Sequence, residues 1–402
     1  MKLISLFISV LIIQLSYSQD YWETVPSFIA SPRSNSASFS IASKGYIVGG
    51  LDQVDFKRKS YSFSAQTAAW QEELALGDST GAGLNRGGAC GFSINNKGYV
   101  CLGQGQTNAF FNDLWEFDPV TNAWTQKANF IGSARREAVS FVLDSIAYIA
   151  TGEDITGYKS DVYAYNPFTN SWNQKNDFLG GARKSAVGFT IGDHAFIGTG
   201  ESNVLKNDFW MYLAVNDTWI QKSYFPGTPR SGAVAWGKFP QGYIACGEDN
   251  SFTYKNDVWE YNYFGNAWFL RSSIPGNGRK NAMVFTIDEI AYVGGGFNGG
   301  FLNDYYRYIG VLGIDEENQL SVQPYPNPST TGFNFNLTTP IQNGTLKIYD
   351  ILGKEVLSKH FTNEQLIHVS FENLAIDKGI YCYKISSNQQ QIACGKLHYL
   401  HY

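Results

Sequence analysis

The 402-residue chain has few of the residues that metal catalysis, membrane insertion or nucleic-acid binding require. It contains five histidines and five cysteines, and charged residues make up 16% of it. Beyond residue 15, no apolar run approaches the roughly 20 residues of a membrane helix. A formal net charge of -5 gives no basic surface for a polyanion. We therefore expect no nucleic-acid partner and no transmembrane segment in the mature protein.

The N-terminus has the layout of a secretory signal peptide. Lys2 is followed by a mostly apolar run from Leu3 to Leu15 and then by small and polar residues up to Ser18. This run is too short to cross a bilayer. We predict that residues 1–18 are a signal peptide and that the mature protein is exported and soluble. An uncleaved anchor is the alternative.

The composition favours an all-β fold. Glycine and the aromatic residues are abundant, with Gly 41, Phe 28, Tyr 25 and Trp 10. This mixture is typical of short strands joined by tight turns. A mature chain of about 380 residues is longer than a domain with a single hydrophobic core usually is, so two domains or a repeat array are expected.

A repeat runs through most of the chain. In each unit an arginine is followed seventeen positions later by a glycine: Arg33 and Gly50, Arg86 and Gly103, Arg135 and Gly152, Arg183 and Gly200, Arg230 and Gly247, Arg279 and Gly296. Between them, two apolar segments flank a two-residue turn at Asn95-Asn96, Asp144-Ser145, Gly192-Asp193 and Asp288-Glu289. This pattern predicts a β-hairpin.

The second half of each unit is equally regular. A tryptophan lies nine positions after another aromatic residue, with a turn such as "DPVTN" between them, at Trp70, Trp124, Trp172, Trp219 and Trp268. Four strands in a unit of 47 to 53 residues are the layout of a propeller blade.

The two ends of the array predict how the ring closes. The sixth unit has its third strand at 303–308, but no tryptophan follows that strand. Trp22 precedes Arg33 by 11 residues, the interval that separates Trp124 from Arg135. We predict that the strand around Trp22 completes the last blade, which gives a six-bladed β-propeller over residues 19–309.

These residues resemble the Kelch family. The resemblance rests on the glycine pair in "VGG" at 48–50 and "GGG" at 294–296, the "ND-x-W" motifs at 112–115 and 256–259, and the spaced tryptophans. Unit one departs from it, because Lys59 stands where the other units have aspartate and its loop from 70 to 86 is longer. The resemblance extends to galactose oxidases, whose copper needs histidine ligands, but the propeller contains only His194. We expect no copper site, no cofactor and no assigned catalytic residue.

A second domain follows a polar linker at 310–323. Residues 324–402 alternate short strands with Gly, Asn and Pro, which predicts a small antiparallel, Ig-like β-sandwich. They resemble the C-terminal sorting domain of type IX secretion substrates through Pro326-Asn327-Pro328, Gly332, Ile348 to Val356, Gly379-Ile380-Tyr381 and Gly395-Lys396-Leu397. The resemblance implies passage through the periplasm of a Gram-negative bacterium, recognition by the type IX machinery, and release or display at the cell surface. An ordinary Ig-like module is the alternative.

Candidate binding residues lie where the repeats differ. Features that recur in every blade should build the blade, so we expect the six arginines to satisfy backbone carbonyls or the recurring aspartates. The aromatic three residues before each aspartate position should likewise pack. The positions that vary follow the glycine or open the first strand, and we predict binding by Glu153, Asp154, Glu201, Glu248, Asp249, Arg136, Lys184 and Lys280, with Glu137 beside them. A solvated loop rim is the alternative.

The mixed charges suit several ligands. They would hydrogen-bond sugar hydroxyls, hold a basic peptide, or bind calcium through carboxylate oxygens. The leading hypothesis is a non-catalytic protein that binds a glycan or a protein on its loop face. The alternative is a secreted carbohydrate-active enzyme, a mutarotase or lyase, that uses Glu153, Glu201 or Glu248 with Arg136 and would resemble the Kelch sialic acid mutarotases.

The cysteines allow two cross-strand pairs. Counting outward from the turns places Cys90 opposite Cys101, and a turn centred on Asn388 places Cys382 opposite Cys394. Each pair is compatible with a disulfide or with two buried thiols. Cys246 is expected in the core.

Overall fold

The computed structural model describes residues 20–77, 85–310, 322, 324–350, 354–371, 376–387 and 390–400. The predicted signal peptide and nearly all of the predicted linker lie outside these residues. The chain separates into two compact units, Tyr21–Ile309 and a second unit that contains the C-terminal residues. None of the described residues forms a helix with the length and apolarity of a membrane span.

The first unit is a six-bladed β-propeller, as the repeat predicts. Its six main sheets are antiparallel and four-stranded. From the innermost strand outward, the strands of the first three blades are Ala37–Ile41, Lys44–Val48, Ser60–Ser64 and Ala69–Glu73; Cys90–Ile94, Lys97–Cys101, Leu114–Asp118 and Ala123–Lys127; Val139–Leu143, Ile146–Ala150, Val162–Asn166 and Ser171–Lys175. Those of the last three are Val187–Ile191, His194–Gly198, Phe209–Leu213 and Thr218–Gln221; Val234–Lys238, Gln241–Ala245, Val258–Asn262 and Ala267–Arg271; Met283–Ile287, Ile290–Gly294, Tyr305–Ile309 and Tyr21–Val25.

The N-terminal strand closes the ring. Tyr21–Val25 pairs antiparallel with Tyr305–Ile309, with Trp22 opposite Tyr308. The indole Nε1 of Trp22 donates to the carbonyl of Ser272, 2.8 Å away in blade five. Tyr21–Val25 is thus the fourth strand of blade six, and Tyr305–Ile309 is not left at the edge of the sheet.

The predicted hairpin turns are also present. At Asn95 and Asn96 the φ angles are +50° and +59°, which matches the left-handed pair of a type I′ turn. The glycine that follows the second strand is required for its backbone angle and for its lack of a side chain. At Gly152, φ is +101°, and an added Cβ would lie 2.9 Å from the Cβ of Ala138. A larger residue at this position would clash with Ala138, and it would also adopt a φ angle that is unfavourable for any residue except glycine.

The six arginines build the blades, as expected. In blade three, Arg135 is fully buried and its two terminal nitrogens meet the carboxylate of Asp161 at 2.5 and 2.8 Å. The same guanidinium donates to the carbonyl of Thr151 at 3.0 Å. Blades two, four, five and six repeat this pair through Asp113, Asp208, Asp257 and Asp304.

Blade one keeps the same strands without the carboxylate. Arg33 donates to the carbonyls of Ser31 and Gly49 and to the Ser31 hydroxyl, as Arg135 does with its own neighbours. Lys59 occupies the aspartate position and pairs with the exposed Glu72 at 2.8 Å. Much of the longer loop of this blade lies outside the described residues.

Tryptophans join the outer strands of consecutive blades. The indole of Trp124 donates to the carbonyl of Leu74 at 2.9 Å, and that of Trp172 donates to the carbonyl of Ala128 at 2.9 Å. Trp70, Trp268 and Trp22 make the equivalent bond. Each of these blades is thereby tied to the one before it.

The second unit is a small β-sandwich, as predicted. One sheet orders Pro324–Tyr325, Gly332–Ile341 and Glu364–Ser370, and the other orders Glu355–Phe361, Gly344–Tyr349, Gly379–Ser387 and Gln390–Tyr399. Both sheets contribute to one core, in which Phe335 and Tyr383 pack edge to face at 4.9 Å.

One cysteine prediction is wrong and the other holds. The backbone register places Cys394 opposite Lys384 and Cys382 opposite Lys396. Beside the turn, Ser387 pairs with Gln390, one position away from the register of a turn centred on Asn388, and the pairing shifts by one more between Ile385 and Ser386. Cys90 does face Cys101, and both are buried free thiols.

Candidate functional site

A closed ring of backbone hydrogen bonds surrounds the propeller axis where the first strands begin. The residue two positions after each arginine donates its N–H to the matching carbonyl of the preceding blade, at 2.7 to 3.1 Å. All six have φ between +51° and +64°. We call this ring the collar, and its members are Asn35, Gly88, Glu137, Ser185, Gly232 and Asn281.

The variable positions lie one step outside the collar. In each blade the residue after the arginine pairs with the residue after the glycine through backbone bridges, as Arg136 does with Glu153 and Lys184 with Glu201. The next bridge adds the recurring aromatic position, as between Glu153 and Tyr158, so a blade contributes up to three side chains to the same face. Blade two has Gly87 at the first of these positions, and blade four has Leu205 at the aromatic position. The structure therefore brings most of the predicted binding residues to one mouth around the axis.

Arg136 joins blades two and three. Its Nε and one terminal nitrogen donate to Oε2 of Glu153 at 2.9 and 2.7 Å, and its other terminal nitrogen donates to Gln104. The guanidinium also lies over the ring of Phe110, 5.8 Å from its centre. A cation from one blade thus pairs with the polar and aromatic groups of the blade before it.

Lys184 repeats this arrangement between blades three and four. Its Nζ donates to Oε2 of Glu153 at 2.9 Å, lies 4.0 Å from Oε2 of Glu137, and is 5.7 Å from the centre of the Tyr158 ring. Burial acts to raise the pKa of Glu153, but the hydrogen bonds from Lys184 and Arg136 outweigh it and hold the pKa below its usual value. Glu153 is therefore a fixed anion that accepts hydrogen bonds.

Lys280 and Glu248 form the third such pair, between blades six and five. Their N–O distance is 2.5 Å, and the Lys280 ammonium lies 5.7 Å from the centre of the Tyr254 ring. Glu201, in blade four, has no cation from the next blade, since Ser231 stands at that position, and it accepts a hydrogen bond from Tyr158 at 3.3 Å.

Asp154 and Asp249 serve their own loops. Asp154 is 6% exposed, accepts hydrogen bonds from the backbone and hydroxyl of Thr156, and pairs with Lys159 at 2.9 Å. Burial would raise the pKa of Asp154, but the hydrogen bonds from Ser133, Lys159 and Thr156 lower it well below the usual range. Asp249 pairs with Lys255 at 2.6 Å in the same way. These two carboxylates shape the loops around the mouth.

The remaining sector of the mouth is apolar. Blades six and one place Phe297 and Leu51 at the positions of the glutamates, with Phe301 and Phe56 at the aromatic position. Phe297 and Phe301 pack edge to face at 5.2 Å, and all four side chains remain partly exposed. The recurring aromatic residues therefore pack against their neighbours and still present ring surface to the mouth.

Below the collar, the axis is lined by small and neutral residues of the first strands. Ser38 donates to the carbonyl of Val284 at 2.7 Å, and an added Cβ on Gly91 would lie 2.7 Å from the carbonyl of Ser38. A cavity of about 270 Å³ lies on the axis among residues that include Phe92, Phe189 and Thr286. Within the described residues, no cluster of His, Cys, Asp and Glu is arranged to hold a metal ion.

Comparison with known proteins agrees with this architecture. Residues 38–235 match the KLHDC2/KLHL20/DRC7 Kelch-repeats domain. The structure of YjhT superposes with a TM-score of 0.61 and 16% identity over 70% of this chain and 95% of that one, a likeness that shows the fold alone. No curated protein matches the sequence. The first unit is a Kelch-repeat propeller.

The end of the chain supplies the second half of the identification. Residues 323–397 match the secretion system C-terminal sorting domain, which is the type IX signal. A Kelch propeller joined to this domain is an exported protein, either secreted or displayed at the cell surface.

The collar is the part of the site that the sequence analysis missed. Glu137 attracted attention as a charged neighbour of Arg136, but its place on the axis did not. The available signal was position, because each collar residue follows its arginine by two.

Proposed function

We propose that this exported propeller is a binding protein that takes a glycan at the mouth around its axis. The observation that supports this proposal most is the division of the mouth into a polar arc and an apolar arc. Arg136, Glu153 and Lys184 lie on the first arc, and Phe297 and Phe301 on the second. A sugar ring has hydroxyls at its edge and C–H groups on its faces, so it would satisfy both arcs at once.

The charges of the polar arc favour hydroxyls over an anionic ligand. Arg136 and Lys184 are both bound to Glu153 at 2.7 to 2.9 Å, and Lys184 lies 4.0 Å from Glu137, so two carboxylates stand beside the two cations. Such a network is held in place before the ligand arrives and loses little side-chain freedom on binding. It still offers free acceptor and donor positions to neutral hydroxyl groups.

The test is a binding screen of the full chain against neutral and amino oligosaccharides, with turnover followed in the same samples. We expect binding without chemical change, and about tenfold weaker binding in Glu153→Gln and Lys184→Met, which corresponds to about 1.4 kcal/mol. Asp144→Asn is the matched control, because Asp144 is an exposed carboxylate in a turn at the other end of the blade.

Two outcomes would reject the proposal. If no oligosaccharide binds, or if Glu153→Gln binds as well as the wild type, the mouth is not a glycan site. Turnover that disappears in Glu153→Gln, Glu201→Gln or Glu248→Gln would instead support the alternative, a mutarotase- or lyase-like enzyme.

A further inference from the structure

The collar combines one carboxylate with groups that accept hydrogen bonds. Among its six members, Glu137 carries the single charge. The hydroxyl of Ser185 donates to Oε2 of Glu137 at 2.7 Å, so its lone pairs remain available to another donor. Asn281 reaches over Gly232, where an added Cβ would lie 2.4 Å from its Oδ1. The amide oxygen of Asn281 thereby lies over the neighbouring collar residue, Gly232.

The opening is narrow. Hydrogen-bonded backbones in adjacent strands are about 4.8 Å apart, so a six-membered ring of them measures about 10 Å between opposite Cα atoms. After van der Waals radii are subtracted, this leaves room for one side-chain-sized group, and a sugar chain would not pass. A ligand at the mouth can therefore direct a single substituent onto the axis.

The charged side chains around the axis carry one more negative than positive charge. The mouth and collar contain three cations (Arg136, Lys184, Lys280) and four carboxylates (Glu137, Glu153, Glu201, Glu248). Lys184 is closest to Glu153 at 2.9 Å and is 4.0 Å from Glu137, so it balances Glu137 incompletely. Glu201 has no cation from the next blade either, so one further positive charge near Glu137 or Glu201 would bring the mouth and collar to neutrality.

We propose that the collar binds a primary ammonium group carried by the ligand, with Glu137 as its counter-ion and Ser185 and Asn281 as hydrogen-bond acceptors. An ammonium has three donors and no acceptor, which matches this set. The inference rests on the proposed function, since it assigns an amino sugar as the part of the glycan that enters the collar. A lysine side chain of a polypeptide is the other source of the same chemistry.

The experiment is isothermal titration of the full chain with three oligosaccharides and two peptides. The sugars are a β-1,4-linked glucosamine hexamer, its N-acetylated counterpart and cellohexaose. The peptides carry one central lysine or acetyl-lysine. We expect the glucosamine hexamer to bind at least tenfold more tightly than the other sugars, and Glu137→Gln to abolish that preference. Glu289→Gln, which makes the same change in an exposed turn of blade six, should keep it.

Each outcome decides a separate point. Equal affinity for all three sugars, or a preference that survives in folded Glu137→Gln, overturns the ammonium site but leaves glycan binding intact. Preference for the lysine peptide over acetyl-lysine, with no sugar bound, supports the ammonium site and overturns the glycan proposal. Failure of all five probes to bind the wild type overturns both.

Discussion

In blade one, the role of the arginine–aspartate pairs can be tested by a substitution that should increase stability. Arg33 makes the same bonds as Arg135 to its local serine and to the second strand, but the carboxylate is missing. The carbonyl of Lys59 accepts from Gly49 at 3.0 Å, as that of Asp161 does from Thr151 at 3.2 Å. The backbone at position 59 is therefore already placed for the pair, and Lys59→Asp should complete it.

The size of the effect follows from the other blades. A hydrogen bond to a charged group contributes about 1.5–3 kcal/mol, and the pair makes two. The desolvation of an aspartate that is 15% to 33% exposed in the other five blades offsets part of this. We expect a net gain of about 2 kcal/mol, which at 2–4 °C per kcal/mol raises the propeller's melting temperature by about 4–8 °C.

The assay is thermal unfolding by calorimetry, with a double-mutant cycle as control. Lys59→Asp combined with Arg33→Met should lose the gain, because the new carboxylate then has no guanidinium to bind. Burial lowers the pKa of Arg33, whereas in blade six the hydrogen bond that Arg279 donates to Asp304 outweighs burial and raises the pKa of Arg279. A folded Lys59→Asp protein with an unchanged or lower melting temperature would refute the assigned role of the pairs.

Three other predictions concern closure, acid and thiols. Trp22→Ala should lower the free energy of unfolding by about 3 kcal/mol in a urea titration, because a partly buried indole and its bond to Ser272 are lost; a loss below about 1 kcal/mol would show that the strand adds little. The pKa of Asp154 is lowered on folding, so its stabilisation is present above the ordinary value of about 4 and is lost as pH falls toward the folded value. Asp154→Asn should therefore lower stability at pH 7 and flatten its decline in acid, and an unchanged slope would contradict this. Cys90 and Cys101 should resist alkylation in the native protein and both react in denaturant without reductant, which mass spectrometry would show; a mass that indicates a disulfide would contradict the two thiols.

The fold could be predicted from the sequence because the same pattern of strands, turns and spacings recurs in six units. The interval from Trp22 to Arg33 predicted the closing strand, and the recurrence of Arg135 and Asp161 predicted a structural pair. Contacts that depend on the neighbouring blade were harder to foresee. Lys184 meets Glu153 across 31 positions, and no local pattern distinguishes that pair from two solvated charges.

The roles of two residues, Asp154 and Cys382, became clear only from the structure. Asp154 resembles Glu153 in sequence, but its turn directs it into its own loop, where Lys159 and Thr156 satisfy it. The predicted partner of Cys382 was wrong because the pairs beside the turn differ by one position from the assumed register and an irregularity at Ile385 adds a second. Both depend on local backbone conformation rather than on residue type.

The most direct test of ligand binding at the mouth is a crystal structure of the protein with whichever oligosaccharide the screen selects. The account predicts electron density on the axis above the collar, within hydrogen-bond distance of Arg136, Glu153 or Glu137 and against Phe297 or Phe301. Density on the outer strands, or at the end of the propeller that carries the Asn95-Asn96 turn, would contradict it.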